Sequence, residues 1–329
     1  MIAMKKRPFL FFILLFTFVR HDTLLSAEEK PSDINVEGKS ALTNPQETRI
    51  QALINGLSTT NPQEIEMIEA ASGQFLSLFR ESSTGDPQGC IILLHSDNAH
   101  PDWPQVIHPV REKLNDNSWC TLSIEIPDVT KRFFSRNPVS PEPSGDNATA
   151  TTNADNTATN ADKTLPDESI VFERIDAARQ HLQQKGYSRN AYLGHGTGAA
   201  YALKYAANRS LGGSALILVE PLTPEPFSDF EFANLIESLR LPTLDYYFAD
   251  SVSKNQFARY RQNAANKRTS ANDAYVQIKA PLDRRYDEIG TKRLTQRVWG
   301  FLKQNTNQAQ QTRPLPLVDK SLFIKSLEK

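Results

Sequence analysis

From residue 65 onward the chain alternates short apolar runs with longer amphipathic stretches, and the two periods imply different elements. Ile65 to Ala70 and Gln74 to Glu81 read as two strands around Ser72-Gly73. Cys90 to His95 is a short continuous apolar run of the kind buried on both faces of a parallel sheet. A helix from about Trp103 to Asn115 separates it from the strand pattern of Trp119 to Ile126. Ser169 to Lys185 is amphipathic, with Ile170, Phe172, Ile175, Ala178 and Leu182 on one stripe. Ala191 to Leu193, Ala215 to Val219, Pro242 to Ala249 and Ala274 to Ile278 continue the strand series. Helical stretches at Thr197 to Ala207, Phe227 to Arg240 and Gln256 to Lys267 lie between them, and Thr291 to Lys303 closes the series. An opening pair of strands followed by repeated strand–helix units predicts an α/β fold, a mostly parallel sheet with helices on both faces.

Three stretches lack this alternation. Between Asn137 and Asp167 the sequence is dominated by Ala, Thr, Asn, Asp, Ser and Pro, with only Val139 and Leu165 as larger aliphatics. Such a stretch cannot bury enough apolar surface to offset its ordering entropy, so a disordered insertion is expected; a lid would need an apolar face. At the N-terminus, Lys5, Lys6 and Arg7 precede an apolar run from Pro8 to Val19, and the segment closes on Ser26-Ala27. That is the layout of a cleaved secretory signal, and the run is shorter than the roughly 20 residues that span a bilayer. The expected organisation is a signal peptide at 1–27, an N-terminal extension at 28–60, the α/β domain at 61–305 and a tail at 306–329. The protein is then periplasmic or secreted, with no transmembrane span after cleavage.

Charge and cysteine usage narrow the field. The chain carries 37 Lys+Arg against 38 Asp+Glu, a net charge of −1; losing the four basic residues and one acidic residue of the signal leaves −4. Nothing basic remains to steer it to nucleic acid. The two cysteines, Cys90 and Cys120, begin two strands that should be neighbours. An exported protein can form a bridge, but adjacent buried parallel strands seldom present side chains correctly for one, and two buried thiols are expected.

The order of elements, with a glycine cluster after the fifth strand, resembles the α/β-hydrolase superfamily over roughly residues 60–305. The run His100-Pro101-Asp102-Trp103-Pro104, Leu193-Gly194-His195-Gly196 and Trp119 to Pro127 resemble an uncharacterised bacterial branch of exported hydrolase-like proteins, a domain of unknown function. The resemblance implies the fold and imports no biochemistry.

In hydrolases of this fold a strand turns sharply into a helix at a nucleophile whose neighbours two before and two after must be small. In Gly194-His195-Gly196-Thr197-Gly198 that spacing puts Gly196 at the apex, where there is no side chain to act as nucleophile. Thr197 opens the following helix, whose N–H groups can accept an anion. The catalytic base of such enzymes follows the last strand, yet all six histidines lie at or before residue 195 and Lys279 to Tyr286 contains none. The acid position survives better, as Asp250 or Glu220 after successive strands. Ordinary serine hydrolysis is therefore not expected.

Open parallel sheets bind ligands at their carboxyl edge, which makes His95, Ser96, Asp97, His100, Asp102, His195, Gly196, Thr197 and Asp250 the candidate pocket. His95 and His100 read first as loop residues satisfied by nearby backbone, and His195 equally as a packed polar residue or a ligand contact. A metal held by His95, Asp97, His100 and His195 has suitable ligand types but no motif spacing, and none is expected. Gly194, Gly196 and Ala199 with Glu220 match a dinucleotide fingerprint, but it normally occupies the first strand–helix turn of its domain, and no cofactor is expected. The functional expectation is an exported protein that binds an unknown small molecule or an envelope protein. The alternatives are an esterase- or lipase-like hydrolase or transferase using His195, His100 or Thr197 with Asp250, and a structural envelope protein with an empty pocket.

Overall fold

The structure is a computed structural model that describes residues 45–129, 167–208, 215–268 and 274–306. The signal segment, the extension up to residue 44, the insertion up to residue 166 and the tail beyond residue 306 lie outside the described residues. Eight strands form one sheet: β1 Ile65–Ala70, β2 Gly73–Arg80, β3 Gly89–Leu94, β4 Trp119–Ile124, β5 Asn190–His195, β6 Leu216–Val219, β7 Thr243–Phe248 and β8 Tyr275–Ala280. Their order across the sheet is β1-β2-β4-β3-β5-β6-β7-β8, antiparallel at β1/β2 and β2/β4 and parallel elsewhere. The helices are α1 Pro45–Thr60, α2 Ile107–Lys113, α3 Ser169–Gln184, α4 Thr197–Asn208, α5 Asp229–Ser238, α6 Val252–Ala265 and α7 Glu288–Asn305.

All residues of β3, β4 and β5 are buried, as their unbroken apolar runs require in strands covered on both faces. Alternation divides them between two cores. Cys90, Ile92 and Leu94 pack with Val171, Ile175 and Leu182 of α3 and with α4 and α5. Ile91 and Leu93 face the other way, against Val110 of α2 and Leu294, Val298 and Leu302 of α7. Each fully buried Leu or Ile contributes roughly 1.5–3 kcal/mol. The chain leaves β3 toward one edge of the sheet and β5 toward the other, so the loops after these two strands diverge and open a crevice at their carboxyl ends.

Four local features depart from the sequence reading. The extension contains α1, whose Ile50 and Leu57 pack on Leu76 and Leu78 of β2. Helix α2 starts at Ile107, not near Trp103, because Pro104 disfavours a helical conformation at the residue before it. Helix α6 starts earlier than Gln256, capped by the Ser251 hydroxyl, which accepts from the Lys254 N–H. Finally, Cys90 and Cys120 form a disulfide, correcting the expectation of two thiols. The β3/β4 register sets them directly opposite each other on one face, with Cα atoms 4.4 Å apart, inside the range a bridge needs. Register is a long-range property that the cysteine spacing does not encode.

Candidate functional site

β5 ends at His195, and the chain turns into α4 through Gly196, whose φ of 61° lies in the left-handed region that glycine adopts without penalty. A Cβ at Gly194 would run into the backbone of Gly198 and Ala199, and one at Gly198 into the carbonyls of Leu94 and His95. Both flanking glycines are therefore dictated by the approach of backbone to backbone at the turn.

Ser96, two residues beyond β3, fills the space beside the apex. A Cβ on Gly196 would sit 2.6 Å from Ser96 Oγ and 2.9 Å from Ser96 Cβ. The Thr197 N–H donates to Ser96 Oγ at 3.3 Å, the two hydroxyls lie 3.2 Å apart, and the Asp97 N–H donates to Thr197 Oγ1 at 2.8 Å. In enzymes of this fold the N–H after the apex and one from the loop after the third strand stabilise the oxyanion. Here side-chain hydroxyls of the chain itself engage the equivalent groups.

Above this turn opens a cavity of about 350 Å³, with Ser96, Asp97, His195 and Gly196 at its floor. Trp103, Tyr247, Phe248, Phe257 and Tyr286 add aromatic surface to its walls. Asp97, Glu220, Lys254, Arg261 and Arg285 bring charge to it. Glu220 adopts a φ of 46°, a conformation uncommon outside glycine. Its carboxylate accepts from Arg285 Nε at 3.2 Å, from an Arg285 terminal nitrogen and from the Tyr286 hydroxyl at 2.7 Å. Arg285 also donates to Asp250 Oδ2 at 2.8 Å, and Lys254 donates to the same oxygen at 2.6 Å. In chain order Arg285 stands after the last strand, where the base of a triad belongs, and a guanidinium cannot be deprotonated to act as one.

The candidates read from the sequence divide into two groups. Ser96, Asp97, His195 and Gly196 line the cavity; Thr197 lies behind Ser96, and Asp250 is tied to two lining residues. His195 is buried, which pushes its pKa down to about 4 despite the nearby Glu220 charge, so the ring is neutral. Its Nδ1 has no hydrogen-bond partner among the described residues.

His95, His100 and Asp102 do not line the cavity. His95 Nε2 accepts from the Ile126 N–H at 3.1 Å and Nδ1 donates to the Ser96 carbonyl at 2.8 Å, so both nitrogens serve the backbone. Burial holds its pKa near 3. His100 packs edge-on against Trp103 at 5.4 Å and accepts from the Asp102 N–H. Asp102 turns to fully buried Arg111, accepting at 3.0 and 2.8 Å, and to His108 at 2.9 Å. Burial opposes its ionisation, but His108 and the Arg111 charge together hold its carboxyl below the usual range. Arg111 is closed on its other side by Glu64.

Among the described residues no group of three or more His, Cys, Asp or Glu could hold a metal ion. Glu220, the acid a dinucleotide ribose would need, is engaged by Arg285 and Tyr286. No helix among the described residues is long and apolar enough to cross a membrane. Sequence reasoning missed Lys254, Phe257, Arg285 and Tyr286 as pocket residues, and no short-range signal marks them.

A family model described as a protein of unknown function, DUF3530, matches residues 10–304. Among curated proteins none matches. Among solved structures the chain is similar to a dienelactone hydrolase from Anabaena variabilis, at 15% identity over 74% of this chain and 97% of that one, with a TM-score of 0.51. It is also similar to an esterase from Pyrococcus furiosus (14% identity, 74% and 90% covered, TM-score 0.47). A third is a soluble variant of monoglyceride lipase from Saccharomyces cerevisiae (11% identity, 74% and 95% covered, TM-score 0.48). At these identities the likeness concerns fold alone, and the first of the three carries it: the fold is that of the α/β hydrolases.

Proposed function

The chain belongs to the DUF3530 family of proteins of unknown function, and from that premise we propose that it is an exported binding protein that holds a small, largely apolar molecule above Gly196 without hydrolysing it. The observation that carries this reading is the elbow. The apex has no side chain, and the Ser96 hydroxyl accepts from the Thr197 N–H that would otherwise receive an oxyanion. Arg285, bound to Glu220 and Asp250, supplies charge but no base. Catalysis of this type needs nucleophile, base and oxyanion donors to act as a unit.

Aromatic walls and a volume of about 350 Å³ suit a small apolar ligand, and its polar end would meet neutral His195 and the Glu220–Arg285–Tyr286 cluster. Export is supported by the basic, apolar and small-residue series at residues 5–27. A second reading, a hydrolase with a relocated nucleophile, is favoured by one observation: the Ser96 hydroxyl and the neutral His195 ring share the cavity floor.

A fluorophosphonate probe followed by intact-mass analysis of protein from the envelope fraction distinguishes the two. The expected spectrum is an unlabelled chain beginning near Glu28. Stoichiometric labelling mapped to Ser96 or Thr197 overturns the binding reading, and a full-length cytosolic chain overturns export.

A further inference from the structure

Each charged side chain lining the cavity above Gly196 is answered from within the chain. Arg261 donates from Nε and a terminal nitrogen to the two oxygens of Asp245, at 2.8 and 3.1 Å. Lys254 and Arg285 share Asp250, and Arg285 also closes on Glu220. Asp97 accepts on one oxygen from the Val129 N–H at 3.2 Å and on the other from the Tyr201 hydroxyl at 3.0 Å. The arginines also cover ring faces that a ligand cation would seek. Arg261 lies 4.2 Å from the centre of the Phe257 ring, and Arg285 lies 4.9 Å from that of Phe248. A ligand anion therefore has to displace a carboxylate already in place. A ligand ammonium meets an engaged Asp97 and rings that already carry guanidinium charge.

His195 differs from these groups. It is 7% exposed at the cavity floor, and burial keeps its ring neutral. Nδ1 is closed off and unpartnered. Nε2 also has no partner among the described residues, but it keeps accessible surface, so it is the nitrogen that a molecule in the cavity can reach. A neutral imidazole nitrogen is either a donor or an acceptor, and a hydroxyl complements both because it gives and receives hydrogen bonds. A ligand with no polar group would strip water from Nε2 and return nothing. Beside the elbow, Leu222 brings apolar surface to the same cavity.

We propose that the cavity takes an uncharged amphiphile whose polar end is a hydroxyl, a hydrocarbon alcohol held through His195 Nε2. This ligand class rests on the reading of the cavity as a non-hydrolytic binding site and adds the head group to it.

Titration of the intact protein with 1-octanol, octanoate and octylammonium, followed by saturation-transfer NMR, varies the head group on one chain. Saturable binding of octanol is expected, about tenfold or more tighter than either ion, because an ion brings a charge that the lining does not answer. Leu222 is 48% exposed, so Leu222→Trp should fill the cavity and abolish octanol binding with an unchanged melting temperature. His195→Phe should weaken octanol several-fold to about tenfold, and His195→Gln, which keeps a donor and an acceptor, should retain most of the affinity. Either ion binding as tightly as octanol overturns the head-group assignment and leaves the apolar-ligand reading standing. Failure of all three to bind, or octanol binding indifferent to Leu222→Trp, overturns both. Covalent labelling by a fluorophosphonate overturns only the non-hydrolytic reading, since an alcohol has no bond for the protein to hydrolyse and its ranking against the ions still decides the head group.

Discussion

The two ends of β5 solve opposite problems. At the carboxyl end, polar groups around the elbow are paired within the chain: Ser96 with Thr197, Asp97 with Thr197 and Tyr201, Glu220 with Arg285 and Tyr286. The space left over is walled by aromatic rings. At the amino end the backbone is locked by the bridge between Cys90 and Cys120, with Cys90 paired in register to Asn190, and two buried polar atoms, Asn190 Oδ1 and Arg179 Nε, have no partner among the described residues. The comparison teaches that a pocket's character is set by what its hydrogen-bonding groups have left to give, more than by its position on the fold.

Acid should separate the ends most strongly. His95 and His195, both at the carboxyl end, are buried with pKa values pushed down to about 3 and about 4 by desolvation. An imidazole depressed in the folded state stays neutral there while the unfolded chain takes up the proton. Its burial is therefore tolerated above pH 6.5 and costs stability as pH falls from 6.5 toward those values. At up to about 1.4 kcal/mol per pH unit for each ring, the loss by pH 4 is on the order of 6 kcal/mol. Urea midpoints at pH 7 and pH 4 measure it, and His195→Gln should remove close to one proton from the slope. A slope unchanged in that variant would break the assignment of acid lability to this end.

Reduction should act next, at the other end. The bridge closes a loop with a sequence separation of 30, and a loop of that size is worth about 3.6 kcal/mol in the chain-entropy account. Thermal unfolding at neutral pH, with and without a thiol reductant, should show that loss. Cys120→Ala should match the reduced protein, and identical unfolding in all three states would remove the covalent half of the contrast.

The smallest effect belongs to the apex. Gly196→Ser places a side chain at positive φ, costing about 1–2 kcal/mol, and brings its Cβ against Ser96. Adding Ser96→Ala to it should recover part of that cost, a coupling readable in a double-mutant cycle. Neither variant should turn over simple esters above the wild-type background, and a large gain from Gly196→Ser alone would show that a base is present after all.

Most of the fold was legible because its signals are local. Runs such as Cys90–His95 and the stripe of Ile175, Ala178 and Leu182 carry their burial in their own spacing. Helix α1 was legible too, in Ile50, Leu53, Ile54 and Leu57 at helical intervals, but its place in a polar extension hid it. The site was read only in part. The glycines of the elbow report a backbone approach that sequence spacing encodes. Arg285, 65 residues from the Glu220 it binds, and the pairing of Cys90 with Cys120 depend on strand order and register. Following β3 in sequence points His100 and Asp102 toward the pocket, whereas a loop with Pro101 and Pro104 carries Asp102 to Arg111. Proximity in sequence to a strand's carboxyl end locates a loop, and the partner that claims each side chain then decides its direction.

The bridge between Cys90 and Cys120 has a mechanical consequence. It makes the stretch between them a covalent ring that holds β3, α2 and the loop carrying Ser96 to Trp103. A pull on the two ends of the chain passes across the sulfur atoms and leaves the ring unloaded. About 100 Å of contour length, 30 residues at roughly 3.5 Å each, stays hidden from the force until the bond is cut. Ser96 and Asp97, which line the pocket above Gly196, lie inside that ring and are shielded from tension that would unravel the neighbouring strands.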